Sequence, residues 1–568
     1  MPHIAVEREL GDREYRTAYI MNIQVHLSFR ILKYTQLCHF FGYIVGIILR
    51  IRMGYAHQKH KTFVDMPYHL TIYPNAGIGG TLYNHSHNSS FFSRHTACKS
   101  NAKIHTKNDM YKSLSVTMQA DNGESLPISK KSSTFAPRKM KIAFTTLGCK
   151  LNFAESSALG KALTQRGHVR AKQGEEADVC IINTCSVTDA ADHKDRQAIH
   201  RIRRQNPNAI LIVTGCYAQL KSGEIADFPE VDYVLGQDEK FAIPDLVERL
   251  EQRKDRATVQ ISAIRETDAF HSAYSRDDRT RCFLKVQDGC NYFCTYCTIP
   301  LARGKSRNPS IALLADEAAR AIQEGAKEIV LTGVNIGDFG RTTGETFIDL
   351  LRALDTLFTD RPYRIRISSC EPNLLSDEVI DFVANSRHFA PHFHIPLQSG
   401  NNEVLKIMHR RYTRELFAER VEHIRRVMPG AFIGVDCMVG VRGETDEYWA
   451  DYLQFISALP VSQLHVFTYS ERAHTRMLEM DLYVVPQKER ERRSKVLHRV
   501  SAGKLAAFYH AHAGEPATVL WEGKRIKVSD SEYRMDGFTE NYIRISCPYD
   551  KSKINTFEKL IIPNDIAP

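Results

Sequence analysis

From Met140 onward the sequence predicts an α/β protein with mostly parallel sheets, followed by a small antiparallel unit. Three observations carry this prediction. Short β-rich runs alternate with longer helical ones, as in strand–helix–strand units. Three cysteines, Cys149, Cys185 and Cys216, each stand just past a predicted strand. After about His510 the helical runs give way to short alternating ones.

The elements follow in order. Runs 142–146, 179–183, 210–214 and 233–235 read as strands, with helical stretches at 155–166, 193–205 and 244–251. Together they define an amino-terminal parallel-sheet α/β domain over residues 140–253. Ligands of such sheets gather at the carboxyl ends of the strands. The segments Thr146-Leu-Gly-Cys149, Asn183-Thr-Cys185 and Thr214-Gly-Cys216 place three thiols at those ends, so one edge would collect all three. Taken singly, each also reads as a small residue in a tight turn. Cys180, inside its strand, reads as core.

Next comes the run Asp288-Gly-Cys-Asn-Tyr-Phe-Cys-Thr-Tyr-Cys297, a glycine-led loop after the apolar stretch 283–286. Cys290, Cys294 and Cys297, spaced by four and three, can converge on one metal centre. Structural zinc usually takes four protein ligands. A [4Fe–4S] cube accommodates three when its fourth iron is kept for a small molecule. A zinc knuckle with a distant fourth ligand, or three unrelated thiols, is the alternative.

Strand-like runs 329–332, 363–368, 392–396, 432–439 and 464–468 then alternate with helical spans through a core at 276–507. In the tail, 510–568, the runs 517–521, 524–528, 542–547 and 559–562 read as a small antiparallel β-barrel.

Composition removes several classes. Hydrophobic content of 43% and charged content of 25% are ordinary for a globular protein. Thirteen cysteines in 568 residues are too sparse for a secreted disulfide scaffold and suit reduced, metal-binding use in a cytoplasm. The compact apolar run 40–49 is short of the roughly 20 residues that span a bilayer. No membrane association is expected. Net charge is +10, but residues 1–139 hold 18 of the 76 basic and only 8 of the 66 acidic side chains. That is the whole excess, and the remaining chain is balanced. The global charge therefore says nothing about nucleic-acid binding by the folded part. Residues 1–139 also carry 10 of the 24 histidines, scattered singly and without helical or strand period. His85 and His87 read as isolated surface histidines. The segment is expected to be a disordered or upstream extension, with Met140 as initiator.

Several motifs carry a family resemblance. The cluster loop, with Tyr296 before its last cysteine, resembles that of the radical S-adenosylmethionine enzymes. Thr146-Leu-Gly-Cys-Lys-Leu-Asn152 with Glu155-Ser156, and Asn183-Thr-Cys-Ser-Val-Thr188 with Arg196-Gln197, resemble the amino-terminal domain of the methylthiotransferases. The resemblance spans about 140–568. It implies two [4Fe–4S] clusters: a radical-generating one on Cys290, Cys294 and Cys297, and an auxiliary one on Cys149, Cys185 and Cys216. It implies a partial (β/α) barrel as the radical core, with its chemistry at the strand carboxyl ends. Tyr296, Gly333, Asn335, Ser369, Glu371 and Gln398 are the implied S-adenosylmethionine and substrate contacts. Each also reads as turn or cap chemistry. Arg303, Lys305 and Arg307 are expected to meet phosphate or the cofactor carboxylate, or to form a solvated run. Cys370 and Cys437 read as core thiols. Gly537-Phe-Thr-Glu-Asn-Tyr542 resembles the TRAM module, whose Trp521, Phe538 and Tyr542 would either stack bases or pack a core.

The same resemblance implies cleavage of S-adenosylmethionine to a 5′-deoxyadenosyl radical and transfer of a methylated sulfur from the auxiliary cluster. No acid–base triad is expected. Ser368-Ser-Cys-Glu-Pro372 and the amino-terminal motifs look most like the branch acting on threonylcarbamoyl-adenosine in tRNA, at C2 of the base beside the anticodon. Isopentenyl-adenosine in tRNA and a ribosomal-protein aspartate are the alternative substrates. A non-catalytic RNA-binding protein with structural clusters is the alternative class. Partners would be tRNA, a reductant protein and a sulfur donor. Two positions depart from the family: Arg442 stands where proline is usual, and His474 where glycine is usual. A glycine-like backbone at His474 would be strained.

Overall fold

In the computed structural model the described residues are 139–172, 174–250, 253–264, 267–275 and 280–568, plus a few strand backbones before residue 120. The reading of residues 1–139 as an extension, with its isolated His85 and His87, falls outside the described residues.

The amino-terminal sheet comprises β1 (Lys141–Thr146), β2 (Val169–Arg170), β3 (Val179–Thr184), β4 (Ile210–Gly215), β5 (Tyr233–Leu235) and β6 (Thr258–Gln260). Its order is β6-β5-β4-β3-β1-β2, parallel throughout. Strand alternation sends successive side chains to opposite faces, and both faces are covered. Ile142, Ile181 and Ile212 pack with Leu159 and Val247 on one face. Cys180, Ile182 and Val213 pack with Ile199 and Ala218 on the other, so Cys180 is core as expected. The sixth strand lies past residue 253, the boundary read from sequence.

Two helices begin earlier than their apolar period suggests. The helix Lys150–Gln165 starts directly at Cys149, whose extended backbone follows Gly148 at φ +94°. The helix Asp189–Gln205 is capped by Thr188, whose hydroxyl accepts from the Ala191 N–H at 3.1 Å.

The core is a partial barrel of two parallel triplets. One is β7 (Arg281–Lys285), β8 (Glu328–Thr332) and β9 (Arg364–Ile367). The other is β10 (His392–Gln398), β11 (Phe432–Val439) and β12 (Gln463–Thr468). Bridges Ile365–Phe389 and Ser369–His394 join them. Leu284, Leu331, Ile365, Ile395, Val435 and Leu464 face outward into one core shared with the helices. The opposite parity turns Arg281, Lys285, Glu328, Arg366, His394 and Asp436 inward, together with Phe283 and Val330, which pack on Ala154 of the amino-terminal domain.

The tail has five antiparallel strands, β13 (Pro516–Trp521), β14 (Ile526–Lys527), β15 (Tyr533–Phe538), β16 (Arg544–Pro548) and β17 (Phe557–Ile561). The central β15 has no apolar run, because its inward positions are Met535 and Gly537. A Cβ at Gly537 would lie 2.8 Å from Trp521, so the missing side chain makes room for the indole. Trp521 is buried and donates to Glu558 at 2.6 Å. Phe538 stacks on Tyr542, which packs against Phe432 and His392 and accepts from Arg281 at 3.0 Å. All three aromatics therefore pack structure, and none forms a free base-stacking platform.

The tail sits at the amino ends of the barrel strands. Glu328, fully buried, pairs with Arg364 at 2.6 Å and Arg366 at 3.0 Å. Those guanidiniums donate to the tail carbonyls of Thr518, Phe538, Thr539 and Glu540 at 3.0–3.3 Å. The opposite end of the barrel, where the cysteine loop lies, stays open to the amino-terminal domain.

Candidate functional site

The dispersed cysteines do converge at the carboxyl edge of the first sheet. Cys149 precedes the first residue of its helix, Cys185 follows β3, and Cys216 begins the helix Cys216–Leu220 directly after β4. Two glycines make this possible. A Cβ at Gly148 would stand 2.5 Å from the Cys185 Cβ and 2.8 Å from its Sγ. Gly215, at φ +102° and ψ −165°, occupies a region essentially closed to other residues, and a Cβ there would strike the Thr184 backbone. Burial, with the Cys216 and Cys149 thiols adding to it, pushes the Cys185 thiol up to about 12, a sign of their proximity.

The contiguous triad is similarly crowded. Burial raises Cys290 to about 12, with Cys294 adding to the shift; Cys294 and Cys297 are raised too, Cys297 partly by its two neighbours. Gly289, at φ +69°, lies so close to the Lys305 carbonyl that no side chain fits there. Among the described residues, neither triad has its three sulfurs within 4.8 Å of one another. Tetrahedral zinc, with Zn–S bonds of about 2.3 Å, would need sulfurs about 3.8 Å apart. Both triads are therefore set wider than closed zinc coordination needs.

The triads face each other. Thr298, one residue past Cys297, donates from Oγ1 to the carbonyl of Ser186, one residue past Cys185, at 3.4 Å. The segment Tyr469–Thr475 locks this junction: Arg472 reaches Asp189 at 2.6 Å, Ser186 at 2.7 Å and Asp192 at 2.8 Å. Within it His474 has φ +63°, the glycine-like backbone that its position called for. Arg442, the other departure, pairs with Glu471 at 3.0 Å.

The contacts expected for S-adenosylmethionine fall into two groups. The Thr332–Asn335 turn is held by the Gln287 carbonyl oxygen of its side-chain amide, which accepts from the Val334 and Asn335 N–H groups at 2.9 Å. A Cβ at Gly333 would be 2.9 Å from that same atom. Thr332 Oγ1 and Gln398 Oε1 are buried without a protein partner, and the buried Asn335 amide lies beside Tyr292. Such orphans are costly unless a ligand satisfies them. Gln398 stands at a register shift in β10 with φ +65°. The second group is already engaged. Ser369 Oγ lies 2.9 Å from His394 Nδ1. Glu371 pairs with Arg410, which also donates to Cys294 Sγ at 3.2 Å and Tyr296 Oη at 3.4 Å. Tyr296 packs with Met408, Val441 and Met477.

Arg303 and Arg307 overturn an expectation. Both are buried in ion pairs, in contact with neither solvent nor an open phosphate site, whereas Lys305 is exposed. Arg303 binds Glu155 at 3.1 Å, Asp288 at 3.0 Å and Asn152 at 2.6 Å. Lys285 binds Glu155 at 2.9 Å and Asp288 at 2.7 Å; Arg307 binds Asp288 at 3.2 Å. Lys240 pairs with Glu155 and Gln237, and Gln237 donates to Cys216 Sγ at 3.2 Å. Burial would raise both carboxyls, yet the cations hold Glu155 and Asp288 below the usual range.

Sequence reasoning missed this network and also the inward group His394, Asp436 and His465, whose ligand atoms lie within 4.8 Å. The inward parity of β10 and β11 was the available signal for His394 and Asp436. Cys370 and Cys437 are buried core thiols, as expected. No helix among the described residues is long and apolar enough to cross a membrane.

Comparison with known proteins extends this picture. Residues 141–236 match the family model described as uncharacterized protein family UPF0004, and residues 284–456 match the radical SAM superfamily. The chain is 37% identical over 410 residues to the threonylcarbamoyladenosine tRNA methylthiotransferase MtaB of Bacillus subtilis (strain 168), covering 71% of this chain and 89% of that protein. It is 34% identical over 404 residues to MtaB of Aquifex aeolicus (strain VF5), covering 71% and 98%. It is 32% identical over 391 residues to a tRNA-2-methylthio-N(6)-dimethylallyladenosine synthase of Clostridium botulinum (strain Loch Maree / Type A3), covering 66% and 85%.

Proposed function

This chain belongs to the radical S-adenosylmethionine tRNA methylthiotransferases, and from that premise we propose that it adds a methylthio group to C2 of N6-threonylcarbamoyladenosine beside the tRNA anticodon. Two relatives named for that nucleoside, at 37% and 34% identity, support this branch over the dimethylallyl one.

The observation that carries the reading is the facing of two cysteine triads across the Thr298–Ser186 contact. Cys290, Cys294 and Cys297 would hold a [4Fe–4S] cluster with one iron free for S-adenosylmethionine. When bound, that cluster supplies the electron that cleaves S-adenosylmethionine into methionine and a hydrogen-abstracting carbon radical. Cys149, Cys185 and Cys216 would hold a second [4Fe–4S] cluster next to the first.

The chain's own residues prepare this chemistry. Arg410 sets a cation against Cys294 and fixes Glu371 beside it. Thr332 and Gln398 keep buried polar atoms free for the cofactor's amino-acid and ribose groups. The Arg472 clasp holds the two loops at a fixed separation, which shortens the path from substrate carbon to sulfur. A reductant protein supplies electrons, a sulfur donor restores the transferred atom, and tRNA is met in the cytoplasm.

The test is nucleoside mass spectrometry of tRNA carrying threonylcarbamoyl-adenosine after incubation with dithionite-reduced protein and S-adenosylmethionine. The 2-methylthio derivative is expected. Product only from dimethylallyl-adenosine would move the chain to the other branch. Absence of 5′-deoxyadenosine altogether would favour a non-catalytic RNA-binding role.

A further inference from the structure

The barrel interior holds a polar wall that the cluster chemistry does not use. On β10, β11 and β12 the inward residues His394, Asp436 and His465 form one row. His394 Nε2 lies 2.7 Å from Asp436 Oδ1, and His465 Nδ1 lies 3.5 Å from the same oxygen. Ser369 Oγ holds His394 Nδ1 at 2.9 Å. Asp436 and His465 are direct register partners, as are His394 and Gly434. A Cβ at Gly434 would stand 3.6 Å from His465 Nε2, so its absence gives the two imidazoles room to lie 4.8 Å apart. The row stays open: the side chains of His394 and Asp436 are 16% exposed and that of His465 is 38% exposed. Phe467 stands on the same strand face, two residues nearer the carboxyl end of β12, and is exposed.

The other side of the interior is covered by the helix Lys150–Gln165, whose Ala154 packs on the inward Phe283 and Val330. Lys150 lies four residues before Ala154 and therefore on the same helix face. It is exposed, and its side chain makes no hydrogen bond or ion pair among the described residues. Its ammonium is within electrostatic reach of Tyr542, Arg281, Arg366 and Asp436. The inward strand cations are matched: Arg281 pairs with Glu522 at 2.9 Å, Lys285 with Glu155 at 2.9 Å and Arg366 with Glu328 at 3.0 Å. Asp436 is matched by its two imidazoles. Lys150 is an interior cation left without a partner.

Resting on the function proposed above, we propose that Lys150 and the His465–Asp436–His394 row are specificity-determining residues. They bind the carboxylate and hydroxyl of the threonylcarbamoyl substituent, while the purine lies against Phe467. A carboxylate taken out of water needs a cation, and Lys150 supplies it. The hydroxyl needs a polar partner, and His465 offers Nε2 because Asp436 engages its Nδ1. An apolar dimethylallyl group would leave both sides unpaired, so the same wall disfavours it. No bond is made or broken here; the residues bind the substituent and leave the purine on the side of the cysteine loops.

The experiment compares two anticodon stem-loop RNAs as substrates of the full, cluster-loaded chain. One carries N6-threonylcarbamoyladenosine, and the other carries the same nucleoside with its carboxylate converted to the neutral amide. Iron content and 5′-deoxyadenosine are measured alongside the methylthiolated product. The unsubstituted chain should prefer the acid by at least about tenfold in kcat/KM, mostly through KM. Lys150→Gln should erase most of this preference and Lys150→Arg should keep it. His465→Phe should raise KM several-fold for both RNAs and leave the acid preference in place. Damage to the fold or to a cluster would slow both RNAs alike and would not remove a preference between them. An unsubstituted chain without acid preference, or Lys150→Gln with the full preference, would overturn the proposal. Unchanged KM values in His465→Phe would overturn the part played by the row. If Lys150→Gln loses its iron, Lys150→Met decides by the same ratio. An unsubstituted chain that methylthiolates neither RNA would instead refute the proposed function.

Discussion

Cys290, Cys294 and Cys297 come from one loop of eight residues, whereas Cys149, Cys185 and Cys216 come from three strand ends spread over 68 residues. The first triad is fixed by local backbone: Gly289 against Lys305, and Cys290 N–H donating to the Gly304 carbonyl at 3.0 Å. The second exists only when β1, β3 and β4 are paired in register and two glycines let their ends meet. One site is a property of a loop and the other of a fold. Damage to sheet packing should therefore empty the second site while leaving the first able to assemble.

The strongest way to break this contrast is Gly215→Ala. It forces a side chain into a backbone region reserved for glycine and against the Thr184 backbone, at a cost of about 3 kcal/mol or more. Iron should fall to about four atoms per chain, the complement of one cluster. Iron analysis and thermal unfolding check this, and retention of about eight irons would show that the dispersed site tolerates a misplaced strand end.

Acid should act on the barrel–tail end more than on neutral parts of the molecule. Burial alone would raise Glu328, but Arg366 and Arg364 override it and hold the carboxyl near 2, against 4.5 in the unfolded chain. A depressed carboxyl contributes stability that is complete above about pH 4.5 and is lost as pH falls toward 2. On the order of 3 kcal/mol should disappear across that window. Denaturant unfolding at several pH values measures it, and the loss should shrink in Glu328→Gln, which has no proton to gain.

The smallest effect belongs to the clasp between the triads. His474 is exposed and sits at φ +63°, so His474→Gly should gain up to about 1 kcal/mol, and His474→Val should lose more than that. Chemical denaturation resolves both signs. Equal stability of the three proteins would mean the loop rearranges freely.

The same contrast explains what could be read in the sequence. The contiguous triad is legible as spacing alone. The dispersed triad is legible because each cysteine follows a β-rich run, so periodicity places three thiols at one edge. The barrel strands were legible for the same reason, within one or two residues. β15 was not, because Gly537 and Met535 replace an apolar run where Trp521 needs room. The buried network was not legible either. Glu155, Lys240, Asp288 and Arg303 are far apart in sequence and look like ordinary surface charges, and only the tertiary fold shows that they share one interior. Arg303 and Arg307 were read as phosphate or cofactor-carboxylate contacts, or as a solvated run, for that reason. Asn335 and Gln398 were readable as strand-end polar residues, but their burial, and the unpartnered Gln398 oxygen, appear only in three dimensions.

The division of labour between the triads is tested most directly by one reaction of Cys185→Ala with dithionite, S-adenosylmethionine and tRNA bearing threonylcarbamoyl-adenosine. Both 5′-deoxyadenosine and the methylthiolated nucleoside are quantified from the same tube. The account predicts that 5′-deoxyadenosine still forms while no methylthiolated nucleoside accumulates. Methylthiolation at the level of the unsubstituted chain would contradict it.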